Sequence, residues 1–270
     1  FYQEEKYDGT AVLSTSRFLI VLKAPYLRKS YQSKKKVSSI LIESLPETAV
    51  LALASIFIAS VLGILLGVLS ALYKDGWLDK VLLLLATSGM ALPSFFVGII
   101  FAWLFGYVWS DWTGLNMSGS LYEVDDLGRG EYVNWTNLIL PAVTLGIRPL
   151  SVVLQLSRNS MLEVLSMDYV RTARAKGLTI RSTLFGHALK NALNPVVTTI
   201  SGMFASLMAG AVFVEIIFSW KGIGWEIVNA LEKYDLPIVM GAVLIIAVIF
   251  VVVNILVDIL YGVLDPRVRV

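Results

Sequence analysis

The sequence predicts an all-α protein that crosses a membrane several times, and three observations carry the expectation. Of 270 residues, 57% are hydrophobic and only 16% charged, and the mean hydropathy is positive, a balance outside the range of ordinary soluble domains. Four stretches hold no charge at all: Thr48 to Tyr73, Val81 to Ser110, Asn191 to Val214 and Leu236 to Val257. About 20 helical residues cross the hydrocarbon layer of a bilayer, so each stretch is long enough to span. The Lys and Arg residues between them are unevenly placed, as in a bundle of fixed orientation.

The elements follow in order. Residues 1–45 form an N-terminal segment, and a membrane domain runs from 46 to 265. Thr48 to Tyr73 is its first span, and the turn YKDGWLDK leads into Val81 to Ser110. The stretch from Asp111 to Trp135 is acidic, with Asp111, Glu123, Asp125, Asp126 and Glu131 against Arg129. A fifth span lies between Asn137 and Ser157, interrupted only by Arg148, and Pro141 and Pro149 predict a kinked helix. Residues 158–190 carry Arg158, Arg171, Arg174, Lys176, Arg181 and Lys190 against Glu163 and Asp168. Positive loops stay in the cytoplasm, so this loop and the tail 266–270 are expected inside. The acidic stretch and residues 1–45 are then expected outside. There the rule is strained, because eight Lys and Arg lie between Lys6 and Lys36. Long segments translocate largely regardless of charge, and the chain begins at Phe1, so a sixth helix ahead of it is expected to complete the bundle.

Composition and motifs exclude several functions. There is no HExxH, no GxSxG and no cysteine, and the chain has a single histidine, so no hydrolase or metal centre is legible. A GxxxxGK[ST] phosphate loop is absent, and this chain is expected to bind no cofactor and to hydrolyse no ATP itself. Internal duplication, a mark of many secondary transporters, is not evident.

One stretch stands apart, DYVRTARAKGLTIR from Asp168 to Arg181. Ala173 and Ala175 favour a helix, and Gly177 supplies a left-handed stop, which predicts a short helix, a turn and a second helix. Tyr169 and Ala173 share one face, ending at Gly177; Asp168, Arg171, Thr172 and Ala175 share another. A basic loop against anionic headgroups is one reading. A lipid-facing helix, however, wants bulky apolar residues where this one has alanines, so a cytoplasmic protein partner fits better.

The run DYVRTARAKGLT followed by HALKNALNPV resembles the cytoplasmic loop of permease subunits of binding-protein-dependent ABC importers, the dipeptide and oligopeptide branch (which also handles nickel chelates) in particular. ESLPETAVLALAS, DGWLD, LPSFFVG, VFVEIIFSWKGIG and VNILVDILYGVLDPR resemble further landmarks of that family, in order, from about residue 29 to 270. The resemblance implies a type I permease helix bundle, five transmembrane helices in this chain, and transport of peptides or similar small solutes by alternating access. It implies that Asp168, Tyr169, Arg171, Thr172, Ala173, Arg174, Ala175, Lys176, Gly177 and Leu178 dock into an ATPase subunit. Arg171, Thr172 and Ala173 stand where the family pattern has Glu-Ala-Ala, so the glutamate is missing. The implied partners are two ATPase subunits carrying ATP and Mg, a second permease that is homologous but not identical, an extracytoplasmic solute-binding protein and membrane lipid, with no nucleic acid. The implied location is a bacterial inner membrane. A membrane scaffold that binds a cytoplasmic partner without moving solute stays open at this point.

Single residues add narrower expectations. Arg148 lies mid-span, where an arginine is costly unless it meets water or a partner, and is a candidate for the translocation path or for pairing with a second subunit. Glu215, one turn from the outer end of its helix, reads either as part of the path or as a solvated interfacial carboxylate. His187 is expected to hydrogen-bond within the second short helix, and Asn254 and Asp258, one turn apart near the inner end of the last one, to pair with neighbouring helices or headgroups. Gly63 and Gly67 form a small-xxx-small pair expected to pack helices closely.

Overall fold

The structure, a computed structural model, describes residues 9–14, 19–23, 26–125 and 130–264. The tail 266–270 and the side chains of His187 and Asp258 lie outside the described residues, and with them the expectations placed there.

Helices dominate, as expected, with two short antiparallel pairs in addition. β1 (Gly9–Ser14) pairs with β2 (Leu19–Lys23), and β3 (Tyr122–Val124) with β4 (Glu131–Val133). Both pairs fall where the charged loops contain short runs of Val, Leu and Tyr, residues that suit a pleated surface.

The centre of the bundle is α1 (Val37–Leu72) packed along α5 (Thr136–Ser166). The boundary expected near residue 45 falls inside α1. The two helices approach closely because glycines face the partner: a Cβ on Gly63 would lie 2.8 Å from Val153 Cβ, one on Gly67 2.5 Å from the Leu154 carbonyl, and one on Gly146 2.9 Å from the Ser55 carbonyl. Small residues at such crossings let backbones meet and gain dispersion contacts where lipid offers no hydrophobic drive. Pro141 and Pro149 lie within α5 and are buried, so the helix persists through both.

The expected span from Val81 to Ser110 is broken. α2 (Trp77–Ala91) and α3 (Ser94–Trp103, continued by a π turn to Val108) meet at 109°. Leu92 is extended, as a residue before proline prefers, and Pro93 has no N–H to continue the ladder. The pair still advances along α5, since Gly89 lies against Ile147 and Ser151 while Gly98 lies against Thr144. α4 (Ser110–Thr113) follows.

After α5 come α6 (Asp168–Ala175), α7 (Ile180–Thr183) and α8 (Leu189–Ala192), then α9 (Asn194–Gly210), with Pro195 in its first turn, and α10 (Val212–Ile217). α11 (Ile223–Glu232) and α12 (Leu236–Leu264) complete the described residues. Among the described residues, three helices are individually long and apolar enough to cross a membrane: α1, α5 and α12 over Leu236–Val257. The bent pair makes a fourth. α9, within the expected span Asn191 to Val214, has 17 residues, about 26 Å of helix against a hydrocarbon core of about 30 Å.

Two ends can be told apart. At one, Ala71 at the end of α1 clusters with Met161, Val164, Val170, Leu184, Ala188 and Ala192. At the other, the start of α1 meets the loop before β3, the turn after α10 and the start of α12.

Candidate functional site

At the first end, α5 stops because Met167 turns extended, and α6 begins at once with Asp168 in its first turn and Arg174 in its last. Both charges suit the helix dipole. Val170 and Ala173, three residues apart, are both buried, and Val170 packs with Ala71 at the end of α1 and Met161 and Val164 at the end of α5. Val170, not Tyr169, is therefore the inward partner of Ala173: Tyr169 is exposed, and its hydroxyl accepts a bond from Asn191 Nδ2 at 2.9 Å. Positions three and four residues before Ala173 flank it on opposite sides of the helix, and here the three-residue side faces inward.

Gly177 closes α6. Its φ is +87°, its N–H donates to the Arg174 carbonyl at 3.0 Å, and the Leu178 N–H donates to the Ala173 carbonyl at 3.3 Å. These two bonds make a Schellman cap, which satisfies carbonyls that the helix end would leave bare. A Cβ on Gly177 would meet nothing within 4 Å, so the glycine is required by backbone angle and not by crowding. Asp168, Arg171, Thr172, Arg174, Ala175, Lys176 and Leu178 are all exposed. Arg171 and Asp168 lie 3.8 Å apart but are 72% and 99% exposed, a pair worth little in water, so the face remains available. Beneath it a cavity of about 220 Å³ is lined by Leu72, Leu165, Val170, Arg174 and Leu184 among others.

The same end holds an ion pair that sequence reasoning passed over. Arg158 of α5 donates from Nε and Nη2 to the two carboxylate oxygens of Asp79, each at 2.7 Å. Asp79 also accepts from the Ser70 hydroxyl and, at 2.9 Å, from the Asp75 N–H. α1, α2 and α5 are thus tied beside the exposed loop. In the sequence Arg158 was one charge in a loop count and Asp79 one letter of a turn; nothing local marked them as partners.

At the opposite end Glu215 is fully buried, which corrects the solvated reading and leaves it facing no open path in this structure. It accepts from Thr48 Oγ1 at 2.8 Å and from the Trp225 N–H at 3.0 Å. Gly222 and Gly224 of the FSWKGIG turn leave room for the carboxylate where any Cβ would collide with it. Thr48 Oγ1 accepts in turn from the Ile223 N–H at 2.8 Å, Trp220 Nε1 donates to the Glu47 carbonyl at 3.0 Å, and Ser120 donates to the Glu47 carboxylate. Three segments distant in sequence are bolted together. Nearby, bonds from Asn134, Asn137 and Tyr132 hold the Glu123 carboxyl below its ordinary pKa despite the cost of burial. Glu47, Thr48, Ser120 and Trp220 were not singled out from sequence. Their signal was a polar residue inside or beside an apolar run.

Arg148 is exposed on α5, with no hydrogen bond or ion pair among the described residues. It lies between Thr144 and Ser151, the positions that flank the α2–α3 break. The carboxylate of Asp258 is not described. Among the described residues no group of three or more acidic, histidine or cysteine side chains could hold a metal.

Residues 63–270 match the family described as binding-protein-dependent transport system inner membrane component. The dipeptide transport system permease protein DppB of Haemophilus influenzae is 40% identical over 256 residues, covering 89% of this chain and 76% of that protein. DppB of Escherichia coli K12 is 40% identical over 238 residues, covering 82% and 70%. The di/tripeptide transport system permease protein DppB of Pseudomonas aeruginosa is 39% identical, covering 83% and 70%. Among solved structures, a chain of the MetNI methionine ABC transporter in an inward-facing conformation shares the fold with a TM-score of 0.65 at 14% identity, covering 84% of this chain and 97% of that one. An amino acid ABC transporter shares it at 0.58 and 14% identity, covering 86% and 95%. The chain therefore belongs to the binding-protein-dependent transport system inner membrane components, and it is a permease subunit of an ABC importer.

Proposed function

We propose that this permease moves peptides across a bacterial inner membrane, paired with a second, homologous permease and driven by two ATPase subunits docked on the loop around Gly177. An extracytoplasmic binding protein delivers the solute, and ATP and Mg are held by the ATPases, so this chain carries out no hydrolysis and binds no cofactor. The naming of its 39–40% identical relatives supports the peptide reading. In this orientation the segment 1–45 and the acidic stretch 111–135 lie outside, and the loop 158–190 and the tail lie inside.

The observation that carries the coupling assignment is the capped, exposed α6 seated on the ends of α1 and α5 through Val170. A force applied to that face reaches both long helices directly. Closure of the ATPases then biases the bundle between two packed arrangements, and access alternates by a population shift. Because Gly177 is uncrowded, the test separates angle from bulk. Gly177→Val is expected to strain the turn by about 1–2 kcal/mol, weaken ATPase association and abolish most uptake in proteoliposomes. Gly177→Asn, which tolerates a left-handed backbone, is expected to retain uptake. Equal uptake by both variants would remove the turn from the coupling mechanism.

Arg148 is proposed to face the solute path. Its exposure within this chain and its place beside the α2–α3 break support this, and its planar fork suits a peptide carboxylate. Glu215 is not carried forward as a path residue. Arg148→Gln is expected to slow uptake of acidic peptides several-fold while basic ones are less affected. Dissociation of the two permeases, or equal slowing of every peptide, would assign Arg148 to the subunit interface instead.

A further inference from the structure

The basic stretch that strains the charge rule has no role in the transport reading. In the structure its last part, residues 26–36, is a built loop. Ser30 is buried and its hydroxyl donates to Asp235 at 2.5 Å, the Tyr31 and Gln32 N–H groups donate to the same carboxylate at 3.0 and 3.3 Å, and Gln32 Nε2 donates to the Lys233 carbonyl at 3.0 Å. Lys29 and Lys36 bridge across the loop, and the Val37 N–H donates to the Arg28 carbonyl at 3.1 Å. Arg28 and Lys34 are held at φ of +66° and +59°, a conformation that non-glycine residues keep only where their surroundings impose it.

This clamp presents Arg28, Lys29, Lys34 and Lys36 exposed at the start of α12, and none of them is in an ion pair among the described residues. Three carboxylates at this end are directed elsewhere. Asp235 faces into the loop, and Glu43 and Glu226 line a separate cleft together with Lys35 and Lys233.

Directly beside Arg28 is a groove of about 360 Å³ whose walls include Tyr26, Tyr31, Leu236, Met240 and Leu244. It continues along α12 as a row one turn apart, Leu236, Met240, Leu244 and Val248, all more than half exposed. That row is about 18 Å long, against about 15 Å for half of the hydrocarbon core. Unpaired cations at the head of an apolar channel of that length complement one kind of molecule, an anionic amphiphile. A zwitterionic lipid has no net charge to match the surplus, whereas an anionic lipid is attracted by juxtamembrane Lys and Arg.

We infer that the loop 26–36 and the start of α12 form a binding site for one anionic phospholipid, its phosphate at Arg28 and one acyl chain along Met240 and Leu244. The inference rests on the membrane reading of the chain and is independent of which solute is carried. The test is native mass spectrometry of the complete transporter released from nanodiscs of equal phosphatidylglycerol and phosphatidylethanolamine. Wild type is expected to retain phosphatidylglycerol several-fold over phosphatidylethanolamine. The charge variant Arg28→Gln with Lys29→Gln and Lys36→Gln is expected to lose that preference. Met240→Trp, which fills the groove and keeps the charge, is expected to lose the bound lipid, while Lys80→Gln at the other end of the bundle retains it. Unchanged retention in the first two variants would overturn the site. So would displacement of the lipid by millimolar inorganic phosphate, which indicates a simple anion site. Altered binding-protein affinity or permease pairing with the lipid unchanged would make the surface a protein interface.

Discussion

A carboxylate enclosed by helices is tolerated only if its lone pairs are filled, because an unpaired polar group in an apolar setting costs several kcal/mol. Glu215 meets the condition with Thr48 and the Trp225 N–H, and two glycines remove the side chains that would have kept the turn away from it. Replacing it with leucine strands those donors. Each buried group left without a partner costs about 1–3 kcal/mol, so Glu215→Leu is expected to lower the melting temperature of the detergent-solubilised complex. A normal melting temperature with slow uptake would instead return Glu215 to the solute path. The sequence showed this carboxylate beside an apolar run but gave no hint of its partners, because Thr48 lies 167 positions away. Gly177 is the contrasting case: its role was legible because a left-handed stop is a property of the residue and its immediate neighbours.

At the scale of elements, α1 and α5 depend on a seam of glycines. Gly67→Val would place a branched side chain against the Leu154 carbonyl and Ser157, and overpacking of this kind costs about 1–3 kcal/mol or more where backbone must move. The expected result is reduced thermal stability and lower membrane yield, whereas Gly202→Ala, at an open position, leaves both unchanged. The Gly63 and Gly67 pairing was visible from spacing alone, since residues four apart share a helix face. The break between α2 and α3 was not read from sequence. Pro93 gave notice of a disruption, but a proline in a membrane helix is equally compatible with a mild kink. Which of the two results depends on what packs on either side, here Ile147 and Ser151 against Thr144.

At the scale of the whole molecule, the two ends differ in chemistry and should lie on opposite faces of the membrane. Ser118 and Ser182 are exposed at opposite ends of the bundle, and the chain contains no cysteine. Single cysteines at these positions are expected to label differently with an impermeant maleimide on intact spheroplasts, Ser118→Cys reacting and Ser182→Cys only after lysis. Ser120 would not serve, because it is buried against Glu47. The reverse pattern would place α6 outside and end the coupling proposal.

Hydropathy, charge placement and short local motifs determined on their own that this chain is a helical membrane protein, where most spans fall, and that a short basic helix ends at Gly177. Each of these follows from a solvent preference or from a backbone preference within a few residues, so a linear string contains it. Only the tertiary structure decided that Asp79 belongs to Arg158, Glu215 to Thr48 and Asp235 to the loop at Ser30, that Val170 and not Tyr169 anchors α6, and that one span is bent. Those outcomes depend on which distant segments meet at contact distance, and a polar group removed from water accepts whichever partner the packing brings within about 3 Å.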